Sequence, residues 1–155
     1  DVAAAVQLLS HVRNPVVVLR RAGAVAATVV VTVWGREHEC DARLFGEALA
    51  DWLPPPRPPA GPPPVTDPDR LRKLAGLAGL TAVALDEVGC RFDYPDADAV
   101  VEPVLAAGIG RQAAHRAGPS AVREAVLARL AEHRTPTGGY VLRNLFRVLT
   151  LRPLG

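Results

Sequence analysis

The residues best equipped for chemistry sit in two places. Glu37-His38-Glu39-Cys40-Asp41 is a run of side chains that ligate metals or move protons. Consecutive residues cannot all face one ion, and acidic groups suit the dipole at a helix start. The run therefore reads as a solvated helix start, and no metal is expected. His11 stands apart, in Leu9-Ser10-His11-Val12-Arg13. An unperturbed histidine titrates near about 6.5, which suits a general base for a substrate hydroxyl or amine. It suits a loop histidine bonded to backbone equally well. Cys40 and Cys90 lack metal-type spacing and read as two free thiols of a cytoplasmic protein rather than a disulfide. Gly108-Ile109-Gly110-Arg111-Gln112-Ala113 fits G-x-G-x-x-A. It follows an expected helix instead of a strand, so it is not a nucleotide loop, and a nicotinamide-dependent oxidoreductase finds no glycine fingerprint here.

These residues need a scaffold. With 155 residues, 49% hydrophobic and 22% charged, the chain is expected to form one domain with a real core. The formal net charge is +2 and the arginines are scattered, so nucleic acid is not the expected partner. No apolar run is long enough to span a membrane as a helix. The chain begins without Met, inside what reads as structure, so its start is expected to be a cut.

Thr28-Val29-Val30-Val31-Thr32-Val33-Trp34-Gly35 is the organising stretch. It is β-branched and apolar on both parities, as a strand covered on both faces would be. Asp1 to Leu9 reads as another strand, and Asn14-Pro15 as the start of a helix between the two. An amphipathic helix is expected from His38 to Leu53, with Leu44, Phe45, Ala48, Leu49, Trp52 and Leu53 as its stripe. Prolines from 54 to 64 then predict a stiff, extended surface loop. Thr66-Asp67-Pro68 starts a helix with Leu71, Leu74, Leu77 and Ala78 on one face, stopped by Gly79. Thr81 to Tyr94 reads as a long strand with a phase change near Asp86-Glu87. Asp96 to Ala107 looks helical, with a break or kink at Pro103. Ser120 to His133 is a helix, residues 135–139 a turn, and Tyr140 to Leu151 a strand apolar on both parities. That last pattern suits an interior position, giving the spatial order first, second, fourth, third, with the last strand antiparallel.

The ordered set resembles the C-terminal half of a class I S-adenosylmethionine-dependent methyltransferase of a bacterial small-molecule subgroup. Asp1 to Val6 is similar to the family's fourth strand, Leu9-Ser10-His11-Val12-Arg13-Asn14-Pro15 to its "L-x-H-x-x-D-P" segment, and Val29 to Gly35 to its fifth strand. Cys90-Arg91-Phe92-Asp93-Tyr94-Pro95-Asp96 and Leu142-Arg143-Asn144-Leu145-Phe146-Arg147 resemble later landmarks. The likeness covers nearly the whole chain. It departs at Arg21, where the family often has an acid, and at Ala26-Ala27, where the family has "R-P-G-G".

The resemblance implies an α/β fold: a partial Rossmann-like sheet of parallel strands plus one antiparallel strand, helices on both faces, a helical and Pro-rich lid over 38–64, and a helical insertion over 95–135. It implies methyl transfer from S-adenosylmethionine to a small-molecule acceptor, with Val6, Gln7 and Leu8 touching the cofactor. His11 is the candidate base. Trp34, His38, Tyr140 and Asn144 are the candidate substrate residues, with Arg143 beside them. Trp34 equally reads as core filling, and Asn144 needs a hydrogen-bond partner if buried. The family's glycine-rich loop lies on earlier strands, so these residues alone are not expected to bind the cofactor appreciably. The competing reading is a non-catalytic methyltransferase half that serves as an interaction or homodimerisation module.

Overall fold

A computed structural model describes residues 1–55 and 62–154. β1 (Val2–Val6) leads through a 3-10 turn at Leu9–His11 into α1 (Pro15–Val25) and then β2 (Thr28–Trp34). Asn14 caps α1: its Oδ1 accepts from the Val17 N–H at 3.2 Å, and Pro15 opens the helix. β1 and β2 pair in parallel, with Ala4 opposite Val30, so these elements are a βαβ unit. There follow α2 (Arg43–Ala48), α3 (Pro68–Leu77), β3 (Leu80–Tyr94), α4 (Ala97–Ala106), α5 (Gly108–Ala117), α6 (Pro119–Arg129) and β4 (Tyr140–Pro153). Among the described residues the strands form one mixed sheet in the order β1-β2-β4-β3, with β4 antiparallel to β2. This is the order expected from the apolar residues on both parities of the last strand. No described helix is long and apolar enough to cross a membrane.

The described residues gather into two compact units: 1–39, 62–90 and 145–154 in one, 40–55 and 91–144 in the other. In the first, Val29, Val31 and Val33 cluster with Leu149 and Leu151 of β4, Leu19 of α1, and Leu71 and Leu74 of α3. Each such side chain contributes about 1.5–3 kcal/mol on burial. Coverage of β2 alternates. Val29, Val31 and Val33 are 0–3% exposed, whereas Thr28, Val30, Thr32 and Trp34 are half-buried. The expectation of full cover on both faces is thus corrected: one parity is sealed and the other partly open. α3 is capped by Asp67, whose Oδ1 accepts from the N–H groups of Asp69 and Arg70 at 3.1 and 3.0 Å. Gly79, at φ +78°, follows its end. Leu77, expected on the stripe, is exposed. Leu71, Leu74, Ala75 and Ala78 already complete the i, i+3, i+4, i+7 set.

In the second unit, Val100, Val101 and Val104 of α4, Ala113 of α5, and Val122 and Val126 of α6 enclose Tyr140 and Leu142 of β4. The single helix expected over 38–53 is in fact broken into a 3-10 turn at Glu37–Glu39, α2, and a 3-10 turn at Ala50–Trp52. Asp41 explains the break, because it is committed to a strand. Its N–H donates to the Arg143 carbonyl at 2.9 Å, and its Oδ2 accepts from the Arg143 N–H at 2.7 Å. The apolar stripe survives: Leu44 and Leu49 are buried, with Phe45, Ala48, Trp52 and Leu53 packed against the same cluster. The break expected at Pro103 is also absent, since α4 continues to Ala106. The proline removes one N–H donor. The Ala107 N–H then closes the last turn on the Pro103 and Val104 carbonyls. Gly108 opens α5 directly after α4. Gly110 lies so close to the Val104 carbonyl that no Cβ fits, so this glycine serves packing. The 95–135 segment carries α4, α5, α6 and a 3-10 turn at Ala131–His133.

Burial in β4 changes parity along the strand: Tyr140, Leu142 and Asn144, then Arg147, Leu149 and Leu151. In β3 partial burial likewise passes from Leu85 to Cys90, Phe92 and Tyr94, the change of parity expected there. Of the proline-rich connector and lid expected over 38–64, residues 56–61 lie outside those described.

Candidate functional site

The carboxyl ends of β1 and β2 lie side by side, where ligands bind in open α/β sheets. Gln7 follows β1 with φ +51°, a left-handed conformation rare for a side chain of its size. Its N–H reaches Thr32 of β2, with the carbonyl oxygen at 3.0 Å and Oγ1 at 3.2 Å. Those bonds hold the turn, and they leave Val6 and Leu8 exposed beside it. His11 is exposed on the 3-10 turn that follows. Trp34 ends β2 and meets Phe146 of β4 edge-to-face, with ring centroids 4.7 Å apart and planes at 75°. His38 is exposed in the next 3-10 turn. Among the described residues no group of three or more His, Cys, Asp or Glu side chains is placed to hold a metal. Cys40 and Cys90 form no disulfide.

A charged network missed in the sequence lies on the other parity of the same strand ends. Arg147 stands opposite Val33, on the sealed face, and is 1% exposed. Its Nη2 donates to Glu39 Oε1 at 2.8 Å and to Glu87 Oε1 at 2.9 Å, and its Nη1 donates to the Thr66 carbonyl at 3.2 Å. Glu39 Oε2 accepts from the Arg36 N–H at 2.6 Å, and the Arg36 guanidinium pairs with Asp67 Oδ2 at 2.9 Å. The chain between β2 and the start of α3 is thereby pinned at three points. The Arg147 hydrogen bond holds the Glu39 carboxyl down at about 2, against burial that pushes it up. Arg36 likewise lowers Asp67, helped by the Arg70 N–H. Every carboxylate in the network faces a guanidinium. The arrangement ties residues 36, 39, 66 and 67 to one another and keeps Glu39 and Asp67 ionised at neutrality.

Tyr140 and Asn144 lie in the second unit, both buried. Asn144 Oδ1 accepts from the Ala42 N–H at 3.0 Å and so serves the start of α2 from another element. Its Nδ2 has no hydrogen-bond partner among the described residues. Tyr140 sits in the core cluster and borders a surface depression together with Tyr94 and Thr135. Arg143 is exposed, with its backbone tied to Asp41. In the first unit the structure brings Val6, Gln7 and Leu8 next to the end of β2, and it leaves His11 and His38 on the surface. The signal for Arg147 was present as a cation on the same parity as Leu149 and Leu151. Its partners lie far away in sequence, where local patterns do not reach.

Compared with protein-family models and with curated protein sequences, the chain matches none.

Proposed function

We propose that this chain contributes to S-adenosylmethionine-dependent methyl transfer to a small-molecule acceptor. The observation that carries the reading is the sheet order β1-β2-β4-β3, with the last strand antiparallel against β2, together with the quoted sequence landmarks. The end of β1 fits the cofactor as one wall only. Val6 and Leu8 offer exposed apolar surface, the Gln7 N–H is already spent on Thr32, and the Gln7 side-chain amide is what remains. One net hydrogen bond is worth about 0.5–1.5 kcal/mol, whereas association costs about 4 kcal/mol or more. These 155 residues by themselves therefore bind the cofactor more weakly than micromolar. Calorimetric titration of the chain with S-adenosylmethionine checks that. Release of S-adenosylhomocysteine by the longest natural polypeptide carrying these residues, offered a panel of small hydroxyl, amine and carbon acceptors, tests the activity. No cofactor binding and no turnover by that polypeptide would refute it.

A second reading, a non-catalytic interaction or dimerisation module, draws on the open edge of β1. Val2 and Val6 there are 67% and 68% exposed.

A further inference from the structure

The second unit contains a cavity that none of the candidate residues lines. Phe45 of α2, Tyr94 at the end of β3, Pro103 and Val104 of α4, and Ala107 and Ile109 at the start of α5 border about 170 Å3 of space. Apart from Tyr94, every side chain on its wall is a hydrocarbon. Burial pushes the Tyr94 hydroxyl pKa up, and that hydroxyl has no hydrogen-bond partner among the described residues. Tyr94 is half-buried, and an unpaired hydroxyl on an otherwise hydrocarbon wall can pair with a ligand's polar group. Pro103 lies near the end of α4, and its ring is part of this wall. The size also fits, because an engineered apolar cavity of about 150 Å3 takes up benzene. Ile109, 44% exposed, marks the mouth.

We propose that this cavity binds a small monocyclic phenol, its ring against Phe45, Pro103 and Val104 and its hydroxyl paired with that of Tyr94. The site lies wholly within the second unit and does not depend on the methyl-transfer reading.

Phenol and toluene are the probes, titrated into the whole chain and followed through the methyl resonances of Val104 and Ile109. Saturable shifts are expected for both, with dissociation constants in roughly the millimolar range. Nuclear Overhauser contacts from ring protons to those methyls locate the ligand in the unmodified protein. Tyr94→Phe should weaken phenol about five- to tenfold and leave toluene within about twofold. Ile109→Trp, at the exposed rim, should abolish both. Absence of saturable shifts in the wild type, or contacts to other methyls, overturns the site whether or not a variant folds. Undiminished binding by a folded Ile109→Trp chain overturns it too. Equal effects of Tyr94→Phe on the two probes overturn the hydroxyl pairing.

Discussion

Arg147 and Glu39 decide how the first unit responds to acid. In the folded chain Glu39 keeps its charge down to about 2, whereas its ordinary value is 4.5. The unfolded chain therefore takes up the proton first as acid is added, and the pair's contribution falls with pH. That contribution is complete above pH ~5 and is lost progressively towards pH ~2. Asp67 is shifted in the same direction and adds to the slope. The melting temperature of the wild type should drop over that interval, and Glu39→Gln should flatten the drop. At pH 7 the same substitution leaves a buried guanidinium with Glu87 as its remaining carboxylate, and should cost about 2–4 kcal/mol by urea denaturation. Glu87 is far more exposed, at 57%. Glu87→Gln should cost under ~1 kcal/mol. Equal losses from the two substitutions would mean that burial of Arg147 does not set the energetics.

Glycine gives the clearest element-scale contrast, because two helical glycines in the second unit predict opposite signs. Gly46 in α2 has open space where a Cβ would go, and Gly110 in α5 has the α4 backbone there. Gly46→Ala should stabilise by about 0.5–1 kcal/mol through helix propensity. Gly110→Ala should destabilise by about 1–3 kcal/mol or more, because the Val104 carbonyl cannot give way as a flexible side chain would. Thermal melts of both variants decide it. What the sequence revealed follows the same division between local and distant causes. Asn14-Pro15 and Asp67-Pro68 start α1 and α3 because a cap acts within three residues. The position of β4 was legible because an interior strand must be apolar on both parities. The break before α2 was not, because it comes from Asp41 bonding Arg143, far along the chain. Pro103 was over-weighted, since three residues from a helix end the missing N–H disrupts little. At the candidate site, strand ends could be read and the ion pairs that fix their loops could not.

Across the whole molecule, the exposed edge of β1 is the feature most open to partners. β1 pairs on one side with β2 and stands at the end of the sheet order. Unpaired backbone flanked by exposed valines is a template for another strand. The chain is expected to self-associate, and sedimentation velocity should show species above the monomer. Val6→Lys should shift them to monomer without lowering the urea midpoint, because Val6 is already 68% exposed. A wild-type chain that sediments only as monomer at high concentration would remove β1 as a dimerisation edge. With it would go the main support for the module reading.

The position of β4 also governs what happens at the ribosome. Its partner β2 is complete roughly a hundred residues earlier, yet β4 must enter between β2 and β3. At about 5–20 residues per second, β2 waits about 5–20 seconds with one valine-rich flank unpaired. The described sheet is therefore closed in its middle by the last of its four strands to emerge. Until then the nascent chain displays a surface that a holding chaperone, or a neighbouring nascent chain, would bind.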